Sequence, residues 1–240
     1  MAPVALVTGA NKGIGYAVAT GLGRLGDTVF LGARDERRGR TAEAALRAEG
    51  LDVRFVPLDV DDDASVTAAV RTIADTAGRL DVLVNNAAVK LERAPSPPSG
   101  CSLTMVRDTF ETNVFGAIRV LLATLPLLRR SRAPRVVNVS SGLGSLALAA
   151  TEGSKYQATP LLSYNVSKAA LNSLTVQFAN ELRNSAFKIN AVDPGFTDTD
   201  MTDGATRTPE QAATAILRAA TLPADGPTGC FIDEHGELPW

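Results

Sequence analysis

Short apolar, β-branched runs alternate with longer stretches of helical periodicity along the whole chain, and this alternation most constrains its fold. Repeated strand and helix units of this kind build a parallel sheet with helices on both faces. Strands are predicted at Ala2 to Thr8, Thr28 to Gly32, Val53 to Pro57, Val82 to Asn85, Arg135 to Ser140, Lys188 to Asp193 and Gly229 to Asp233. Helices are predicted near Ile14 to Leu25, Arg37 to Glu49, Asp63 to Thr76, Leu103 to Arg130, Leu162 to Arg183 and Pro209 to Ala220. The predicted fold class is therefore α/β, with a doubly wound, seven-stranded parallel sheet.

Composition and charge narrow the function classes. No polar linker divides the 240 residues, of which 45% are hydrophobic, so we expect one domain over residues 1–240. The net charge is -2 and the basic residues are scattered, which argues against nucleic acid as a partner. The apolar stretches are interpreted as too short to span a membrane, and the N-terminus runs directly into the first strand, so a cytoplasmic location is expected. Two distant cysteines and a lone histidine predict free thiols and no metal site.

A glycine-rich turn follows the first predicted strand and opens the first predicted helix. It reads Thr8-Gly9-Ala10-Asn11-Lys12-Gly13-Ile14-Gly15. Glycines let the backbone turn tightly against a pyrophosphate, whose charge is met by the unpaired amides of the helix N-terminus. A dinucleotide-binding turn requires a strand before it and a helix after it, and both are predicted here. The sequence therefore predicts a Rossmann-type dinucleotide site. The turn residues expected to bind the cofactor are Gly9, Asn11, Lys12, Gly13, Ile14 and Gly15.

The end of the second strand indicates which dinucleotide is bound. Arg34 stands near the position where NAD-binding domains carry an acid that holds the adenosine ribose. Its planar guanidinium can pair with a 2′-phosphate, and Lys12 can reach the same charge, so NADP(H) is the predicted cofactor. Asp35 is either a rival ribose ligand or the N-cap of the next helix, and the cap is favoured because Glu36 opens that helix.

A tyrosine and a lysine four residues apart point to catalysis. Tyr164 and Lys168 would lie on one face of a helix, and Ser140-Ser141 stand at the carboxyl end of the fifth strand, where open parallel sheets bind ligands. Reducing a carbonyl requires a hydrogen-bond donor to its oxygen and an acid that releases a proton, roles that suit Ser and Tyr. An ammonium about 4 Å from the phenol contributes about 4 kcal/mol at an effective dielectric near 20, so Lys168 is expected to lower the pKa of Tyr164.

These features occur in the order typical of one known family. The glycine pattern T-G-x-x-x-G-x-G, Asn85-Asn86-Ala87-Ala88, Asn113, Ser141, Tyr164 with Lys168, and Pro194-Gly195-Phe196-Thr197-Asp198-Thr199 together resemble the short-chain dehydrogenase/reductase family over nearly the whole chain. Gly32-Ala33-Arg34-Asp35 and the tail from Gly226 to Trp240 look like its carbonyl reductase branch. That resemblance implies an NADPH-dependent reductase of ketones, aldehydes or quinones. A 3-oxoacyl-thioester reductase, or a non-catalytic NADPH sensor that would be expected to lack one of these catalytic residues, are the alternatives.

The resemblance also implies roles for individual residues. Tyr164 would be the general acid/base, Lys168 would hold the nicotinamide ribose, Ser141 would polarise the carbonyl and Asn113 would anchor a water, with Thr199 orienting the carboxamide. Asp59 and Val60 would contact the adenine, although Asp59 equally suits a cap after the third strand. The remaining cofactor residues implied are Asn86, Ala87, Pro194, Gly195, Phe196 and Thr197.

Three questions stay open at the level of sequence. Ala88 stands where the family usually has Gly, which leaves open whether the loop after the fourth strand follows the family's usual path. The stretch between Ser141 and Tyr164 is longer than in many members, and it either shapes specificity for a small carbonyl substrate or is an idle insertion. The apolar helices near Leu103 and Leu162 suit either a dimer face or core packing, so monomer and homo-oligomer are undecided.

Overall fold

The sheet follows the predicted alternation closely. The computed structural model describes residues 2–202 and 204–240. Its strands are β1 (Val4–Thr8), β2 (Thr28–Ala33), β3 (Val53–Pro57), β4 (Val82–Asn85), β5 (Arg135–Val139), β6 (Lys188–Val192), β7 (Phe231–Ile232) and β8 (Glu237–Leu238). Their order is β3-β2-β1-β4-β5-β6-β7-β8, so the chain reverses its direction of winding between β1 and β4. Open α/β sheets bind ligands at the carboxyl ends of the strands beside such a reversal.

The helices cover both faces of the sheet. They are α1 (Gly13–Arg24), α2 (Glu36–Ala48), α3 (Asp63–Ala77), α4 (Leu103–Phe110), α5 (Ala117–Leu128), α6 (Leu146–Ala150), α7 (Leu162–Glu181) and α8 (Pro209–Ala220). A π-helical segment, Glu111–Gly116, joins α4 to α5 inside the stretch predicted as one helix. Single π turns within α-helices often occur at functional sites.

The predicted parallel sheet of seven strands is confirmed, and one further strand, which the sequence did not predict, lies at its edge. β1 to β7 pair in parallel, but β8 returns antiparallel to β7, with Phe231 opposite Leu238. Each of these two strands has only two residues, too few for an alternating pattern to predict them. The turn between them passes through Gly236 at a φ of 147°, a conformation that glycine adopts readily.

The core lies in two layers, one on each face of the sheet. Ala5 and Val7 of β1 pack in one cluster, whereas Val4 and Leu6 pack in the other. Because successive side chains of a strand point to opposite faces, a sheet covered on both sides needs continuous apolar strands. This is why the residues of β1 from Val4 to Val7 are all apolar.

The helical stretch Leu103–Leu128 has the length and composition of a membrane span, although the apolar stretches of the sequence were interpreted as too short for one. More than half of the most apolar part of this stretch is buried inside the protein. Val120, Leu121 and Leu128 belong to the core under the sheet, which accounts for the apolar character of this stretch.

Candidate active site

A cleft of about 780 Å³ opens along the carboxyl ends of the strands. Most of the predicted site residues line it: Gly9, Asn11, Lys12, Gly13, Ile14, Gly15, Arg34, Asp59, Val60, Asn86, Ala87, Tyr164, Lys168, Pro194 and Thr199. Five predicted residues lie beside the cleft wall rather than on it: Asn113, Ser141, Gly195, Phe196 and Thr197. Phe196 is 64% exposed, and the Thr197 hydroxyl is turned inward to the Gly195 carbonyl at 3.0 Å.

The glycine-rich turn is packed too closely for side chains. A Cβ on Gly15 would lie 2.5 Å from the Gly9 carbonyl oxygen, and one on Gly9 would lie 3.0 Å from the Cα of Ala87. Gly9 and Gly13 have positive φ angles of 63° and 56°. A Cβ on Gly13 would extend toward Thr199, whose nearest atom is 3.5 Å away across the cleft. The space that this Cβ would fill is where a pyrophosphate can approach the backbone.

The N-terminus of α1 faces the cleft without an internal cap. Lys12 is its N-cap residue and makes no side-chain capping bond, and the first turn carries no acidic residue. The first amides of a helix need acceptors and attract negative charge. Together with the glycine cradle, this arrangement fits the pyrophosphate of a dinucleotide.

Polar contacts between the ends of β1 and β4 fix the floor of the cleft. The Thr8 hydroxyl accepts hydrogen bonds from the backbone amides of Asn86 and Ala87, at 3.0 and 2.9 Å. The Asn86 side chain donates to the Thr8 carbonyl at 2.9 Å. Ala88, which replaces the usual glycine, lies on the cleft wall, and no described residue other than glycine has a positive φ. Alanine is therefore compatible with the backbone at this position.

At the end of the cleft beside β2 and α2, where the adenosine is expected to bind, the structure distinguishes between the two roles left open for Asp35. Its carboxylate accepts a hydrogen bond from the Arg38 amide at 2.9 Å, which caps α2 and lowers the pKa of Asp35. The interpretation of Asp35 as a cap is thus confirmed, and Arg34 is left exposed at the cleft. Asp59 accepts a hydrogen bond from the Asp61 amide at 3.1 Å in the turn after β3 and also lines the cleft, whereas the N-cap of α3 is Asp62.

An ion pair across the cleft was not predicted. Lys12 in the glycine turn donates to Asp200, which follows Thr199 in the loop after β6, and this contact lowers the pKa of Asp200. Both side chains are more than half exposed. Nothing in the sequence pattern pairs residues so far apart along the chain, although both follow strand ends at the same edge of the sheet.

Tyr164 and Lys168 lie on one face of α7, as their spacing predicts. The Lys168 ammonium nitrogen lies 5.6 Å from the centroid of the Tyr164 ring and donates to the Val139 carbonyl at 2.8 Å. Lys168 is only 3% exposed. Ser141 forms a hydrogen bond with Tyr164, whereas the Ser140 hydroxyl donates to Asn172 at 2.5 Å and is buried. The geometry therefore favours Ser141 over Ser140 as the partner of the phenol.

Burial dominates the protonation of this pair. It raises the pKa of Tyr164, with the nearby Asp193 carboxylate adding to the rise and the Ser141 hydrogen bond opposing it. The net shift of the Tyr164 pKa is therefore upward, not downward as the nearby Lys168 led us to expect. Burial also lowers the pKa of Lys168 to about 8, against the effect of Asp193. Tyr164 is thus a neutral phenol at pH 7, the form that can donate a proton.

Asp193 itself was predicted only as the last residue of a strand. Burial raises the pKa of its carboxyl, although backbone hydrogen bonds from Gly195 and Gly142 lower it. The Gly195 amide lies 2.9 Å from Oδ1 of Asp193. One carboxylate therefore ties the loop after Ser141 to the loop that leads to Thr199. Its place at the carboxyl end of a parallel strand is a signal that the sequence analysis could have used.

Asn113 is held inside the π-helical segment and is 1% exposed. Its side chain accepts from the Val89 amide at 2.7 Å and donates to the Val89 carbonyl at 2.9 Å. It also donates to the Ser167 hydroxyl at 3.0 Å, and Ser167 in turn donates to the Tyr164 carbonyl at 2.7 Å. Asn113 thereby joins the loop after β4 to the helix that carries Tyr164.

The long stretch between Ser141 and Tyr164 is ordered by the end of the chain. The Ala147 amide donates to the Trp240 carbonyl at 2.9 Å, and the Ser145 hydroxyl donates to the Pro239 carbonyl at 2.7 Å. The Trp240 ring stacks on Phe231 with centroids 5.6 Å apart. None of the described residues from 142 to 163 lines the cleft, so the structure does not bring this stretch to the cleft wall.

Comparison with known proteins places the chain in a family. A family model for short chain dehydrogenases matches residues 3–210. Carbonyl reductase [NADPH] 1 of Mus musculus is 36% identical over 99% of this chain and 98% of its own. (+)-Neomenthol dehydrogenase of Capsicum annuum is 31% identical over 95% of this chain and 94% of its own. The NADPH-bound carbonyl reductase from chicken fatty liver superposes with a TM-score of 0.87 at 27% identity, covering 100% of this chain and 99% of that one. The chain therefore belongs to the short-chain dehydrogenase family and is an NADPH-dependent oxidoreductase similar to its carbonyl reductases.

Proposed function

We propose that the chain, as one catalytic domain over residues 1–240, reduces the carbonyl group of ketones, aldehydes or quinones, with Tyr164 as the general acid. The observation that carries this proposal is the neutral Tyr164 phenol, bonded to Ser141 and facing a cleft lined by the glycine turn. NADPH supplies the hydride when it is bound.

Different residues of the cleft bind different parts of the cofactor. The backbone of the glycine turn and the open N-terminus of α1 hold the pyrophosphate. Arg34 and Lys12 bind the 2′-phosphate, since Asp35 is engaged as a cap and does not occupy the ribose. Asn86, Ala87, Pro194 and Thr199 form the walls between the two ends.

Proton transfer is carried out at the end of the cleft that contains Tyr164, which is called the catalytic end. Ser141 donates a hydrogen bond to the substrate oxygen, and Tyr164 gives its phenolic proton to that oxygen as negative charge develops there. Lys168, with its pKa of about 8, stabilises the resulting phenolate and holds the ribose. Asn113 is a positioning residue that fixes the loop after β4 against α7.

NADPH oxidation followed at 340 nm tests the proposal over a panel of α-dicarbonyls, quinones, ketoesters and an acetoacetyl thioester. Tyr164→Phe is expected to lower kcat by about 10²-fold or more, because it removes the hydroxyl group that carries the acidic proton and leaves the ring in place. Tyr156→Phe is the matched control, since that ring packs against Gly142 away from the cleft. Tight NADPH binding without turnover of any panel member, or equal losses in the two variants, would contradict the assignment.

A further inference from the structure

A four-residue segment of the loop after β4 is held by hydrogen bonds at both of its ends, next to α7, the helix that carries Tyr164. At its start, Val89 exchanges two backbone hydrogen bonds with the Asn113 side chain. At its end, the carboxylate of Glu92 accepts from the Ser163 amide at 2.6 Å and from the Ser163 hydroxyl. Glu92 is 6% exposed, and Ser163 immediately precedes Tyr164. The segment Val89–Glu92 is therefore held in a fixed place beside the proposed acid.

Lys90 lies inside this fastened segment and lines the cleft, half-buried. Among the described residues, no hydrogen bond or ion pair engages its ammonium group. The other cleft cations are occupied: Lys12 pairs with Asp200, and Lys168 donates to Val139. Arg34 lies at the adenosine end, where the 2′-phosphate is proposed to bind. Among the cations of the cleft that the structure describes, Lys90 is thus the one with no partner in the protein and none proposed in the cofactor.

Three carboxylates of the cleft wall have their own contacts. Asp61 accepts from Thr112, Asp59 accepts from the Asp61 amide, and Asp200 pairs with Lys12. Asp198 is the exception among the described residues of the wall, since its exposed carboxylate has no hydrogen-bond or ion-pair partner there and no ion pair joins it to Lys90. A half-buried ammonium on a rigid backbone attracts an anionic group that enters the same cleft.

We propose that Lys90 is a specificity residue that selects carbonyl substrates bearing a negatively charged group, a carboxylate above all. The inference rests on the proposed reductase function and names its substrate class. The hydrogen bonds of Val89 and Glu92 fix the backbone from which the Lys90 side chain extends. Only that side chain has to be ordered when an anion binds, which reduces the entropy lost on recognition.

A pair of substrates that differ by one charge tests this assignment. The 3- and 4-carboxybenzaldehydes and their methyl esters share ring and aldehyde, and kcat/KM with NADPH is measured for each at low salt. Lys90→Met is expected to lower kcat/KM for the acids by roughly tenfold or more and to affect the esters much less, because a hydrogen bond between charged groups is lost. Arg93→Met is the matched control, since it removes a cation from the same loop outside the cleft. Asp198→Asn should raise kcat/KM for the acids, because it removes a repelling charge.

Two results would overturn the role of Lys90: equal changes for acids and esters in Lys90→Met, or the same selective loss in Arg93→Met. Reduction of the esters without such selectivity would leave the proposed reductase intact, whereas absence of any turnover would count against the reductase itself. In the second case, calorimetry of 4-carboxybenzaldehyde binding to the NADPH complexes of Tyr164→Phe and of Tyr164→Phe with Lys90→Met gives an independent readout. A tenfold weaker Kd in the double variant is expected, and equal Kd values would refute the inference.

Discussion

At the adenosine end of the cleft, Lys12 and Asp200 pair in solvent with more than half of each side chain exposed, and Arg34 is exposed beside them. At the catalytic end, Lys168 is 3% exposed and its ammonium is bonded to a backbone carbonyl. Exposed ion pairs contribute little to stability, so a phosphate can displace Asp200 from Lys12 at small cost. Buried charges are costly unless they are paired, so the catalytic groups are fixed in place. The cofactor end is therefore adaptable, and the catalytic end is not.

The largest expected effect comes from the buried end. Lys168→Met should lower kcat by about 10²- to 10⁴-fold, because the phenolate of Tyr164 loses its stabilising charge. Steady-state kinetics with NADPH measure this loss, and NADPH binding by fluorescence separates it from loss of the cofactor. Lys155→Met, which changes an exposed lysine of the long loop, is the control, and a similar loss in both variants would count against the comparison.

A smaller effect is expected at the exposed end. Arg34→Ala should raise the KM for NADPH by about 10- to 100-fold and leave the KM for NADH nearly unchanged, because only NADPH carries the 2′-phosphate. Arg47→Ala removes an exposed arginine from the last turn of α2 and serves as the control. An equal rise for both dinucleotides in Arg34→Ala would show that Arg34 does not distinguish them.

The smallest effect on rate, and the most informative about charge, is expected from Asp193→Asn. The Asp193 carboxylate raises the pKa of both Tyr164 and Lys168, so its removal lowers both pKa values. The rate of alcohol oxidation, which needs the phenolate form of Tyr164, should then rise at a lower pH than in the unaltered protein. The pH profile of kcat/KM measures the shift. Asp198→Asn should leave the profile in place, and a shift toward higher pH in Asp193→Asn would contradict the charge argument.

Much of this fold could be predicted because its signals are local. The strands β1 to β6 lie within two residues of their predicted bounds, since each is a short, mainly apolar and β-branched run followed by a turn. β8 was missed because two residues carry no periodicity, and the π-helical segment was missed because it has the composition of an α-helix. Neither failure moved a predicted strand end.

The site was predictable where it depends on chain order and unpredictable where it depends on burial. Tyr164, Lys168 and the glycine turn come together at the cleft because each has a fixed place relative to a strand or helix. The pKa of Tyr164 moved in the opposite direction to the expectation because its desolvation cannot be read from spacing. The contact of Glu92 with Ser163 has no local signal at all, since the two residues lie far apart in the chain.

The π-helical segment makes this region sensitive to insertions and deletions. A π turn contains one more residue than the α turn it replaces, so loss of a single residue from Glu111–Gly116 would let α4 and α5 run on as one regular α-helix. The wider π turn that directs the Asn113 side chain at Val89 would then be replaced by a regular α turn, in which that contact is lost. A change in length that the helix itself tolerates well would thus separate the loop after β4 from the catalytic helix, whereas many substitutions on the same helix would not.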